Sequence, residues 1–136
     1  MSTFVKINSF VEKLAEKTFN LGSDSLVVAL TNTAHTSTWS QLSELTQVAY
    51  TNLSSRALTI SSSAQTTGTY KLVLADLVLT SSGGTTGPFR YVYIYDDTAT
   101  NDELIAYYDY GSSITLQDGD TFTIDFDPTN GFLTIA

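Results

Sequence analysis

Residues 89–95 read Phe-Arg-Tyr-Val-Tyr-Ile-Tyr, and no other run constrains the folding of this chain as strongly. Aromatic and β-branched side chains are at home on a pleated surface, and the period of two is that of a strand rather than a helix. Phe89, Tyr91, Tyr93 and Tyr95 take one parity; Val92 and Ile94 take the other. The same kind of signal fills the sequence from Thr69 onward. Residues 70–80 (YKLVLADLVLT) place Tyr70, Leu72 and Leu74 on one parity and Leu77 and Leu79 on the other, which predicts a bulge or bend near Ala75-Asp76. Residues 81–88 (SSGGTTGP) have loop composition, and residues 103–110 form a further strand. Asp118-Gly119 predicts a hairpin, because a type I′ turn needs positive φ at both central positions. Phe122, Ile124 and Phe126 then alternate with polar residues, and residues 127–131 turn the chain into a last strand, 132–135. This C-terminal part reads as an antiparallel meander. Upstream, residues 26–30 (LVVAL) read as a buried strand, with 48–51 and 56–60 as further candidates. About eight short strands predict a mainly β chain, a jelly-roll-like antiparallel β-sandwich.

The first 21 residues have a different pattern. Phe4, Ile7, Val11 and Leu14 recur at three and four residues with Phe10 beside them, which predicts a short N-terminal amphipathic helix. Glu12, Lys13, Glu16 and Lys17 lie away from that stripe, and Asn20-Leu21-Gly22 supplies a stop. The chain therefore reads as one domain, 1–136, with residues 1–21 as a helix capping the sandwich or an arm docking on a neighbour, and residues 22–136 as the sandwich. In the loop 31–40, Thr38-x-x-Gln41 resembles a capping box before one helical turn at 42–45.

Composition limits function. With 136 residues the chain buries enough surface to fold without covalent staples. It has no cysteine, which excludes disulfides, thiolate metal sites and thiol nucleophiles. Its net charge is -8, and three of its six basic residues (Lys6, Lys13, Lys17) stand in the first 21. The acidic remainder argues against nucleic acid and against an anionic membrane as partner. No run approaches the ~18 apolar residues of a membrane span, and residues 1–10 lack the pattern of a signal peptide, so synthesis in a cytoplasm is expected.

Few residues point to chemistry. His35 is the only histidine and stands in a polar loop without a triad or metal pattern, so it reads as a surface residue. Asp96, Asp97, Asp102 and Glu103 bracket one turn, Asp118 and Asp120 another, and Asp125 and Asp127 end a strand. Oxygen clusters of this kind hold Ca²⁺ in some proteins, but none here has the EF-hand pattern, and turn chemistry alone places aspartate at such positions. Gly83, Gly84 and Gly87 lack the Lys-Ser/Thr of a phosphate loop. No catalytic residue, cofactor or metal site is expected, and the chain reads as a non-enzyme. The aromatics carry more information. If Val92 and Ile94 face the core, the tyrosine face turns outward and needs a cover from another subunit or partner. Tyr91, Tyr93, Tyr95, Tyr107, Tyr108 and the loop residue Trp39 are the candidate interface. Cross-strand tyrosine pairs that merely stabilise the sheet are the alternative, and a sugar-stacking face is a third.

Several stretches carry a resemblance. They are Phe10-Val11-Glu12-Lys13-Leu14-Ala15-Glu16-Lys17 with Asn20-Leu21-Gly22-Ser23-Asp24, then Val28-Ala29-Leu30-Thr31-Asn32-Thr33-Ala34, then Gly87-Pro88-Phe89-Arg90-Tyr91-Val92 through Tyr95-Asp96-Asp97-Thr98-Ala99. Tyr108-Asp109-Tyr110-Gly111-Ser112-Ser113-Ile114-Thr115-Leu116 and Asp118-Gly119 to Phe122 also fit. Together they resemble small virion structural proteins of tailed bacteriophages, of the capsid decoration or cement type. The resemblance implies a jelly-roll-like protein on the outer capsid surface, made in the bacterial host cytoplasm. Its partners would be the major capsid protein and itself, as a homo-oligomer with a trimer ahead of a dimer. It would bridge capsomers against the pressure of packaged DNA, many weak contacts acting with avidity. A tail or neck component, or a carbohydrate-binding module, remains the alternative.

Overall fold

The tyrosine-rich strand lies inside its sheet rather than at a margin. The computed structural model describes residues 2–136. Strand β1 (Thr3–Lys6) leads into helix α1 (Phe10–Ala15) and strand β2 (Leu26–Thr31). A long irregular segment with one 3-10 turn (Leu42–Glu44) follows. Strands β3 (Ile60–Thr66), β4 (Thr69–Leu74), β5 (Leu77–Thr80), β6 (Thr86–Asp96), β7 (Leu104–Leu116), β8 (Thr121–Ile124) and β9 (Leu133–Ile135) complete the chain. The pairings are antiparallel, in a four-stranded sheet β1-β7-β6-β2, a three-stranded sheet β3-β4-β9 and a two-stranded sheet β5-β8. The protein is thus mainly β with antiparallel sheets, as its alternating pattern predicts.

Both faces of β6 are buried, which explains its nearly unbroken apolar and aromatic run. Val92 and Ile94 are in the core as expected, registered beside Leu30 and Val28 of β2 and beside Tyr108 and Ala106 of β7. Burying side chains of this size stabilises the fold by roughly 1.5–3 kcal/mol each. Tyr108 meets Phe126 and Phe132 at ring-centroid distances of 6.2 and 6.4 Å, and Phe4 meets Phe132 at 5.6 Å. Phe89 leaves the company of the tyrosines. The β6–β7 register slips between Phe89 and Tyr91, with Gly111 opposite at φ +83, and Phe89 packs on Phe122 of β8 at 5.3 Å.

Several local expectations are corrected. The helical repeat from Phe4 to Leu14 breaks into β1 and a six-residue helix, because residues 3–6 pair with β7 and satisfy their backbone groups there. The helix also stops earlier than Asn20. Thr18 N–H donates to the Lys13 carbonyl at 2.9 Å and Lys17 N–H to Leu14 at 3.3 Å, a Schellman closure with Lys17 in the left-handed region at φ 72. Residues 48–51 and 56–60 form no regular strands; only isolated bridges join Gln47 to Thr31 and Ala57 to Val27. Polar β3, in contrast, gave no strand signal. The Ala75-Asp76 switch proves to be the point where the chain leaves β4 in one sheet for β5 in another. The C-terminal meander is not formed: β8 pairs with β5 and β9 with β4, so the Asp118-Gly119 and 127–131 turns carry the chain between sheets. At the second turn, Asp127 Oδ1 accepts the N–H groups of Thr129 and Asn130, and Gly131 takes φ +83 where a Cβ would meet the Leu72 carbonyl at 2.9 Å. Near the 3-10 turn, the N–H groups of Ser40 and Gln41 donate to the Glu44 carboxylate, so the cap uses Gln41 and Glu44 rather than Thr38 and Gln41.

Candidate interaction surface

The expected tyrosine interface is corrected first. Tyr93 is 0% exposed, and Tyr91 and Tyr95 are also buried, by the chain itself. The segment 32–58 supplies the cover. His35 Nδ1 lies 2.8 Å from the Tyr93 hydroxyl, and its ring stands 4.6 Å from that of Tyr107. Trp39 packs edge-on to His35 at 5.6 Å and lies 6.5 Å from Tyr93. Tyr93 and Tyr107, directly paired across β6 and β7, stack at 4.9 Å. Tyr91, Tyr93, Tyr107 and Trp39 are therefore brought together, around a histidine that reads from sequence as a surface residue and is in fact half-buried. Tyr95 lies toward Arg56, and Tyr108 faces the opposite side with Phe126 and Phe132. Burial raises the phenol pKa of Tyr93 and Tyr95, pushes that of Tyr108 up to about 12, and lowers that of His35. These groups suit a neutral packed layer, in which Tyr91, Tyr93 and Tyr95 are buried and Tyr107, His35 and Trp39 stay half-buried.

The same segment seals one edge of the four-stranded sheet. β2 is an edge strand, and an edge presents unpaired backbone groups to any passing strand. Here Val28 N–H donates to the Arg56 carbonyl, Leu58 N–H to Leu26 and Val48 N–H to Leu30, at 2.9–3.0 Å. The Leu30 N–H donates to the Tyr50 hydroxyl at 2.9 Å, Arg56 Nη1 donates to the Val28 carbonyl, and the Arg56 guanidinium lies over the Tyr50 ring at 3.7 Å. The buried donors and acceptors of β2 are thereby satisfied without a further strand.

The other edge is left open. β1 pairs only with β7, and β9, the margin of the three-stranded sheet, pairs only with β4. An apolar groove of about 720 Å³ runs between them, with α1 along one side. Phe4, Val11, Leu14, Phe132, Leu133 and Ile135 form most of its apolar wall, with Lys6 as its cation. Val11 is 53% exposed, Phe4 42% and Ile135 40%, although large side chains of this kind are costly to leave in water. Phe4 and Val11 belong to the repeat that predicts a core-facing helix stripe; the break after β1 turns Val11 outward, while Phe10 is buried against Phe19. Phe132, Leu133 and Ile135 read from sequence as an ordinary closing strand. Only the pairing partner of β9 reveals that they share a groove with the N-terminus. Among the described residues no three acids or histidines are placed to hold a metal ion.

No family model, curated protein or solved structure matches the chain.

Proposed function

We propose that the protein is a structural component of a tailed-phage virion, most specifically a capsid decoration protein that binds the outer surface of the assembled shell and bridges capsomers. The observation that carries this reading is the asymmetry of the sheet margins. The β2 edge is sealed by one segment of the chain, 32–58, whereas β1 and β9 flank an exposed apolar groove.

 The seal consists of the three backbone hydrogen bonds given above, together with the Tyr50 and Arg56 contacts.

An open edge beside exposed apolar side chains is the geometry by which a second chain adds a strand and buries an anchor. The sequence resemblance supplies the kind of partner, the major capsid protein, and a second copy of the chain is the other component of the reading. A jelly-roll-like sandwich is part of the same proposal. The long-range pairings β2–β6, β5–β8 and β4–β9 support it, while the β3–β4 and β6–β7 hairpins depart from a strict jelly roll. The protein would act without catalysis or cofactor.

Binding to shells tests the proposal. Purified protein is mixed with phage shells lacking it and sedimented, and the particles are imaged by electron microscopy. Val11→Asp and Ile135→Asp, both at exposed positions, are expected to retain the wild-type melting temperature and to bind at least tenfold more weakly, a loss of about 1.4 kcal/mol or more. Wild-type binding by both variants overturns the groove as the contact surface. Density at a tail or neck instead of the capsid surface overturns the decoration reading.

A further inference from the structure

Two carboxyl groups, of Asp24 and Asp96, meet where β2 begins and β6 ends, with buried Glu103 paired to Asp96 through its backbone. Asp96 is 0% exposed and Glu103 3% exposed, and the Asp96 N–H donates to the Glu103 carbonyl at 2.9 Å. Asp96 Oδ1 accepts the N–H groups of Thr98 and Ala99 at 2.9 and 3.2 Å. Its Oδ2 is buried and receives no hydrogen bond from an N–H or hydroxyl group. The carboxyl of Asp24 lies within hydrogen-bonding reach, two residues ahead of Leu26, the register partner of Asp96. Asp24 Oδ2 already accepts the Asn20 N–H at 2.9 Å. Around this pair, Ser25 N–H donates to Thr98 Oγ1 and Asp97 N–H to the Ser25 carbonyl, both at 2.8 Å. The loop 20–25 is thereby tied to the turn after β6.

Two ionised carboxylates in such a place repel each other, whereas one shared proton converts the repulsion into an O–H···O bond. We propose that Asp24 and Asp96 share one proton and form a pH-dependent latch between the loop 20–25 and the turn 97–102, closed in acid and slackened as the pair ionises. The proposal is independent of the virion reading. Burial first, and the bond to Asp24 second, push the Asp96 pKa up to about 7, against the opposing pull of the Thr98 and Ala99 N–H groups. The other charged groups at this end are Glu103 just before β7, Lys13 from α1, 3.9 Å from Glu103 Oε1, Lys17 beyond α1, and Asp97 and Asp102 in the turn. Lys13 is directed at Glu103, which leaves the Asp24–Asp96 pair to the proton. Asp24, Thr98 and Ala99 also line a cavity of about 940 Å³, so the latch holds one of its walls.

The folded-state pKa is raised, so the stabilisation is fully present below the unfolded value of 3.8 and is lost as pH rises through about 7. Asp96→Asn keeps the Oδ1 acceptor and supplies a permanent donor toward Asp24. Relative to wild type, the melting temperature of D96N is expected to rise progressively between about pH 4 and pH 7, with the difference constant above that. Amide exchange at Asp97 and Thr98, corrected for intrinsic rate, should report an opening constant that rises by up to about tenfold per pH unit between pH 5 and 7 in the wild type and stays flat in D96N. Asp24→Asn should flatten the profile too, and it serves as the test if D96N does not fold. A difference between wild type and variants that is constant with pH overturns the latch. So does a calcium-dependent rise of the wild-type melting temperature that D96N lacks, which would assign the pair to a cation instead of a proton.

Discussion

Lys17 holds a backbone conformation that L-residues adopt at a cost of about 1–2 kcal/mol, and it does so with an exposed side chain. Lys17→Gly should therefore raise stability by about 0.5–1 kcal/mol, the gain being reduced by the greater freedom of glycine in the unfolded chain; urea melts measure it. Tyr93 behaves oppositely. Tyr93→Ser removes a fully buried ring beneath His35 and Trp39 and should cost about 3–5 kcal/mol of fold stability, whereas Tyr93→Phe forfeits only the hydroxyl contact with His35, about 1 kcal/mol. His35 adds a pH dependence of its own. Burial lowers its pKa below 6.5, so the unfolded chain takes up the proton first, and the stabilisation present above 6.5 is lost as pH falls through the folded value. The gap between wild-type and His35→Gln melts should accordingly narrow between pH 7.5 and 5.5. These residue-scale features were only partly legible. The alternation of residues 89–95 reveals the strand, but a tyrosine face looks the same in sequence whether a partner or a distant loop covers it, and nothing near His35 announces Tyr93, 58 residues away.

At the scale of elements, β1 and α1 divide between fold and surface. Ile7, Phe10, Phe19 and Leu21 are buried, so deletion of residues 1–21 should abolish or strongly lower the cooperative melt, as a core-capping segment requires. Phe10→Ala alone should cost about 3–5 kcal/mol. Val11→Asp, one residue along, should leave the melt unchanged. The sequence pattern showed strands 26–30, 70–80 and 89–95 because their side chains are apolar, and it missed β3 because its side chains are mostly exposed and polar. The helical spacing of Phe4, Ile7 and Val11 misled for a physical reason: pairing of residues 3–6 with β7 satisfies the backbone more fully than one extra helical turn would. The predicted hairpin at Asp118-Gly119 identified a turn correctly but not the partner strand, since local turn chemistry carries no information about which distant edge is vacant.

The whole molecule is assembled from distant pieces. β1 pairs with β7, β2 with β6, β5 with β8 and β4 with β9, so beyond the β3–β4 and β6–β7 hairpins the sheets grow only as the chain closes long loops. Folding in the millisecond-to-second range is expected from such topology, with stopped-flow fluorescence as the measurement. The groove made by the first and last strands could not be read from either strand alone, because it exists only after both have found their sheets. The cover over Tyr93 has a further, optical consequence. Trp39 is the only tryptophan of the chain, and it sits against His35 and near Tyr93 on one side of the four-stranded sheet. Its emission therefore reports on that side, while the cluster of Tyr108, Phe126 and Phe132 on the other contributes no indole signal. A loosening of the cover and a loosening of the opposite layer can be told apart in a cuvette, with no label added to the protein.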